Sequence, residues 1–266
     1  MRDPHVEELR YRVETAANVA YRNPPPIEVD EEEFSGRLED GIFTCHMKLH
    51  YSSVGAAGGV VDQYLRAWEI DADLTLGRGE IRFIYEDTKV IDRNPPPPDA
   101  PKVLQVEAVD KIAVSDTGVT LHVTRVKYPD PPRIFRISPD VETLWCRYQS
   151  YLDGKEPLLS MAYFCLTVLE IRGGPDPNLK GWERRLAASK MFNIDMAILN
   201  KLGALASERG DIANARKAQI TAIPLSEKER AWIEATIKHL IRRLGEHGSG
   251  KMLPLITMAD LLPLVP

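Results

Sequence analysis

At the Pro131 and Pro132 pair the spacing of apolar residues changes, and with it the kind of structure the chain can adopt. Beyond these prolines apolar residues recur every third or fourth position, which places them on one face of a helix. Ser138 is a good N-cap with Pro139 at the first helical position. Val141, Leu144, Trp145, Tyr148 and Leu152 then form a clean stripe. Pro157 opens a second helix that is apolar nearly all round through Leu169, as expected of the central helix of a bundle, and Gly173 and Gly174 end it. Residues 179–192 and 194–206 predict further helices with Asn193 as a cap between them, and Asp211 predicts the cap of a short one. Ser226 and Glu229 form a capping box for a helix reaching His247, buried through Ile233, Ile237, Leu240, Ile241 and Leu244 and stopped by Gly248 and Gly250. The apolar tail over 251–266, with a cap at Thr257 and Leu261, Leu262 and Leu264, is expected to pack back on the bundle or to dock on a partner.

Upstream of the two prolines the pattern is mixed. Val6, Leu9, Val13, Ala16, Ala17 and Ala20 recur at helical spacing, with Pro4 just inside the start and Pro24, Pro25 and Pro26 after the end. Residues 1–26 are therefore expected to form an amphipathic helix and a proline-rich linker. Residues 34–38 and 42–51, joined by Glu39, Asp40 and Gly41, read as a hairpin. In its second arm Phe43, Cys45, Met47 and Leu49 alternate with Thr44, His46, Lys48 and His50, so one face is buried. Ser52 and Ser53 can cap a short helix over 54–65, kept slim by Ala56, Ala57, Gly58 and Gly59. Residues 68–76, 80–85, 103–115 and 119–128 read as strands, with turns at 77–79 and 116–118 and a stiff extended loop over 94–98. The expected fold class is α+β. An N-terminal α/β-mixed sheet domain over 27–137 is followed by an all-α helical-bundle domain over 138–250.

Charge and cysteine usage exclude several classes. Net charge is −5, which argues against a protein coated in basic charge for gripping duplex nucleic acid. Of 34 Lys+Arg and 39 Asp+Glu, residues 139–266 hold 17 and 15, so the acidic excess lies in the N-terminal half. The three cysteines, Cys45, Cys146 and Cys165, form no CxxC or Cys/His cluster, and neither a disulfide framework nor a structural zinc site is expected. The N-terminal residues lack a signal-peptide apolar run, and the most apolar stretch, 158–171, is too short to span a bilayer. A cytoplasmic protein without membrane contact, cofactor or metal is the expectation. His46 and His50 stand on one face of the expected strand, too far apart to share a metal. Glu69, Asp71, Asp73 and Asp92 are read as surface carboxylates. There is no Walker loop, no GxGxxG after a strand and no GxSxG elbow.

The chemistry-bearing residues concentrate at the end of the last long helix, where Arg242 and His247 have Arg-x4-His spacing and His239, Arg243 and His247 recur every fourth residue on one face. A histidine titrates near neutrality and can move a proton, and an arginine offers a permanent fork of donors to a phosphate. Arg242 can equally form a plain ion pair with Glu246 four residues on. The late Arg-x4-His on an all-helical region over 139–250 resembles the motif of HEPN domains, helical bundles of prokaryotic toxins, defence systems and RNA-processing factors. That resemblance implies metal-independent RNA cleavage, with Arg242 holding the scissile phosphate and His247 acting as acid or base. It implies a homodimer, because two motifs line one cleft in such domains, and residues five apart on a helix diverge by about 140°. Arg243, His239, Arg209, Arg216 and Lys217 are the expected RNA-binding groups. Leu202, Leu205, the Arg209, Gly210 and Asp211 run, the Ala215, Arg216 and Lys217 run and the 256–261 tail are also similar to a family of bacterial proteins without an assigned activity. The alternative from a different class is a non-catalytic assembly protein that uses its bundle to bind itself or a protein partner.

Overall fold

The computed structural model describes residues 3–94, 123–174, 176, 178–210 and 223–262. The expected strand over 103–115, the turn at 116–118, most of the loop at 94–98, the start of the 119–128 strand, the Asp211 helix, Arg216, Lys217 and Leu264 lie outside them. The chain divides into two compact units, Met1–Pro131 and Pro132–Pro266. The fold is α+β, an antiparallel sheet unit followed by a helical unit.

The first unit is a five-stranded sheet in the order β3-β4-β5-β1-β6, made by β1 (Pro4–Glu14), β3 (Ile27–Asp30), β4 (Phe34–Glu39), β5 (Ile42–Met47) and β6 (Arg82–Asp92). Outside it, β2 (Val19–Tyr21) pairs in parallel with β7 (Val123–Arg125). The predicted hairpin is β4–β5, turned by Asp40 at φ 49° and Gly41 at φ 78°, the positive values that two-residue hairpins require. Phe43 on β5 lays its ring over Gly36 on β4, where an added Cβ would meet the ring at 2.2 Å.

The N-terminal helix expected over the first residues is instead β1, paired with β5 and β6. A bulge explains the misleading spacing. Leu9, Tyr11 and Val13 alternate as a strand demands, but the extra residue Glu7 puts Val6 back on the same face three positions before Leu9. The resulting three-residue gap imitates a helix turn.

Residues 68–76, expected as a strand, are the C-terminal part of α1 (Val54–Leu76). Apolar and acidic residues alternate there because the helix buries both kinds. Ala57, Val61, Leu65, Trp68 and Ala72 face the sheet core. Glu69, Asp71 and Asp73, expected on the surface, are 7%, 8% and 2% exposed. Glu69 accepts from the Phe83 backbone N–H at 2.8 Å, and Asp73 accepts from Gly79 N–H at 2.9 Å and pairs with Arg82. Charge compensation of this kind lets carboxylates sit inside a helix that would otherwise read as half-polar. Glu80, buried beside them, is bound by Arg125 through Nε at 2.9 Å, which anchors β7.

In the helical unit, α2 (Pro139–Leu152), α3 (Leu158–Gly173), α4 (Gly181–Phe192), α5 (Met196–Glu208) and α6 (Glu227–His247) follow the predicted caps. Ser138 accepts from Val141 N–H at 3.2 Å, and Ser226 and Glu229 cap each other's backbone. α3 is the central helix, touching the other four, and its Gly173 lies so close to α4 that a Cβ would stand 2.3 Å from Ala188 Cα. Asn193, at φ 49°, ends α4 in the left-handed region and turns the chain into α5. Leu166 on α3 is 1% exposed, so Leu166→Ala should cost about 2–5 kcal/mol in urea unfolding; a variant unfolding with the wild type would remove α3 from the core.

Candidate functional site

The end of α6 carries the motif, and its surroundings are set by the chain after it. Residues 253–261 return across the α4–α5 turn. Ile256 N–H donates to Asn193 O at 3.0 Å, Asp195 N–H donates to Ile256 O at 2.8 Å, and Asn193 Nδ2 donates to Leu253 O at 2.8 Å. Leu253, Ile256 and Leu261 are buried there, while Met252, Leu255 and Leu262 are exposed. Of the two expected fates of the tail, packing back is the one observed. Thr257 N–H donates to Asp260 Oδ2 at 2.7 Å and caps a 3-10 turn at Met258–Asp260.

Arg243 is the centre of this junction. Its side chain is 4% exposed, and one guanidinium nitrogen, Nη1, donates to Phe192 O at 2.9 Å, Asn193 O at 3.0 Å and Pro254 O at 2.7 Å. Two of those carbonyls end α4, where a cation also meets the negative end of the helix dipole. Nε lies 3.3 Å from Glu246 Oε2. Burial pushes the Arg243 guanidinium down from its ordinary value, and the charges of Glu246 and Asp260 offset it. Sequence reasoning had placed Arg243 among RNA-binding groups; the structure places it in the interior, because α4 has carbonyls there that need a donor.

The other motif residues have separate neighbours. Arg242 Nε is 3.3 Å from Glu246 Oε1, the i to i+4 pair that the spacing allows, and its side chain is 42% exposed. His247, partly buried, packs edge-on against the Phe192 ring at 5.0 Å between centroids. His239 is half-buried; burial, then the Arg242 charge, lowers its pKa, opposed by Asp260 and Glu246. Of the stripe His239, Arg243 and His247, only Arg243 is fully buried, beside the apolar stripe of α6, and the two histidines are partly buried. Arg209 joins α5 to the start of α6 through Nε to Glu229 Oε1 at 2.9 Å.

In the sheet unit the two histidines expected on one strand part company. His46 stays on β5, 3.8 Å from Glu8, whereas His50 lies beyond the strand and stacks on His5. His5 and Trp182 escaped sequence reasoning. The first is paired with a residue remote in sequence, and the second carries no pattern beyond its own size. Among the described residues no three His, Cys, Asp or Glu side chains gather as a metal centre would need, and no helix is long and apolar enough to cross a membrane. Comparison of the chain with family models, curated proteins and solved structures finds no match.

Arg243→Ala should lower stability by about 2–5 kcal/mol, since it strands the buried Phe192 and Pro254 carbonyls, while Asn193 O keeps the Ile256 N–H and Glu246 keeps Arg242; Arg242→Ala should cost less than ~1 kcal/mol. Denaturant unfolding of both variants checks this; equal losses would contradict the interior role of Arg243.

Proposed function

We propose that this is a non-catalytic binding protein whose helical unit carries the surface for a second copy of the chain. The observation that carries this reading is Trp182, at the start of α4, with 61% of its surface exposed. Ile171 on α3 and Met191 on α4 are also exposed, at 53% and 44%. Scattered leucines on a surface mean little, but a bare tryptophan is the residue most enriched among the energetic anchors of interfaces. The motif supports the same reading: Arg243 and His247 serve α4 and its Phe192, so two of the groups that a nuclease would need are engaged in holding the fold.

One observation favours ribonuclease as the second reading. The Arg242 side chain is 42% exposed and His247 partly exposed at the same helix end, where a second copy could bring another pair opposite.

Light scattering at micromolar concentration should give a dimer, and Trp182→Ala should give a monomer with unchanged melting temperature. A monomeric wild type would overturn the self-association. RNA incubated with the protein and a chelator should remain intact; cleavage that disappears in His247→Ala would replace the binding reading with the ribonuclease one.

A further inference from the structure

Three stretches of the sheet unit meet at one corner: the start of β1, the end of β6 and the connection from β5 into α1. Two backbone bonds and one to a carboxylate hold them. Arg93 N–H donates to Asp3 O at 2.9 Å, Val6 N–H donates to Tyr51 O at 2.9 Å, and Asp3 N–H donates to Asp92 Oδ1 at 3.0 Å. Inside this corner the His5 and His50 rings stack, with centroids 5.3 Å apart and planes within 17°. His5 is 4% exposed, and its Nδ1 is buried without a hydrogen-bond partner among the described residues.

The charged groups facing His5 are Asp3 just before β1, Glu7 on β1, His50 from the β5–α1 connection and Arg93 just past β6. Both carboxylates are already engaged: Asp3 Oδ1 lies 3.3 Å from His50 Nε2, and Glu7 Oε2 lies 2.5 Å from Lys89 Nζ. A proton on His5 would therefore put a cation in the interior, ring to ring with His50 and close to the permanent charge of Arg93. Stacked neutral imidazoles attract, but a protonated His5 ring is buried beside the permanent charge of Arg93, with no hydrogen-bond partner at Nδ1 among the described residues and little water to screen it.

We propose that the stacked His5–His50 pair is an acid-sensitive latch that holds the β1 start and the β6 end to the lead-in of α1 at neutral pH and releases them on acidification. Burial first, then the charges of Arg93 and His50, holds the His5 imidazole below its ordinary value of 6.5. The opened corner returns the ring to water, where it binds a proton more readily. Opening is thus suppressed in full above the ordinary value and grows easier as pH falls through it toward the lower value of the closed form. The latch is independent of the proposed dimer surface, because its residues all belong to the sheet unit.

Amide hydrogen exchange on the full-length chain tests the latch, read as protection factors corrected for intrinsic chemistry at pH 7.5 and 5.5. The expected result is a loss of up to about tenfold per pH unit at the Val6 and Arg93 amides, with the β4–β5 amides level. His239, whose pKa is also lowered, acts in the helical unit and does not move these two amides selectively. His5→Phe keeps a ring in the stack without a titrating group and should abolish the loss; His50→Phe should reduce it. Unchanged protection in the wild type, or an undiminished loss in His5→Phe, would overturn the proposal. Should His5→Phe not fold, the His5 ring resonance in the wild type decides: titration at or above the ordinary histidine value also overturns it.

Discussion

A guanidinium removed from water needs a countercharge and acceptors nearby, and Arg243 finds them by drawing three parts of the helical unit together. The end of α4 supplies two carbonyls, the returning tail supplies a third, and Glu246 on its own helix supplies the countercharge. Because the same nitrogen serves all three carbonyls, the α4–α5 turn, the tail and the end of α6 are positioned as one junction. Asn193 completes it from the other side, using left-handed backbone to turn and its side-chain amide to hold Leu253. Truncating either partner of such a junction exposes an unmet polar group, which is why buried arginines are held in place once their surroundings form.

The sheet unit solves the complementary problem with carboxylates. Glu69, Asp73 and Glu80 lie inside and are matched by backbone N–H groups and by Arg82 and Arg125. These pairs tie α1 to β6 and β7 across the region that joins helix to strand, so the charged residues fix the approach while Trp68 and its apolar neighbours supply the burial. The indole N–H of Trp68 is itself satisfied, donating to Pro129 O at 3.1 Å. Among the described residues the sheet ends in β3 and β6, which are blunted in different ways. β3 has only 4 residues, and β6 carries a bulge where Glu86 is the extra residue, beside Asp87 and Lys89. Short, bulged and charged edges resist adding further strands, which directs any association away from the sheet.

Much of the helical unit was legible because its signals are local. Ser138 with Pro139, Ser226 with Glu229, the pair Gly173 and Gly174, and the all-apolar α3 each act within a turn or two of chain, and each appears where the spacing places it. The i to i+4 pair of Arg242 and Glu246 was legible for the same reason. The errors arose where two faces of an element, or a bulge, produced a periodicity belonging to another structure. The alternation over 68–76 is that of a strand only if its carboxylates face water, and the spacing of Val6 and Leu9 is helical only if no residue is inserted between them.

The sequence alone was enough for the α+β class, the helix caps at Ser138, Asn193 and Ser226 and the central place of α3, since these depend on propensity and periodicity within short stretches. Tertiary structure alone decided which charged residues lie inside. Whether Arg243 meets a phosphate or the carbonyls of α4, and whether His5 meets water or His50, depends on segments 51 and 45 positions away along the chain. No local pattern encodes such a meeting, because a charged side chain can be buried only when its partner arrives from elsewhere in the fold.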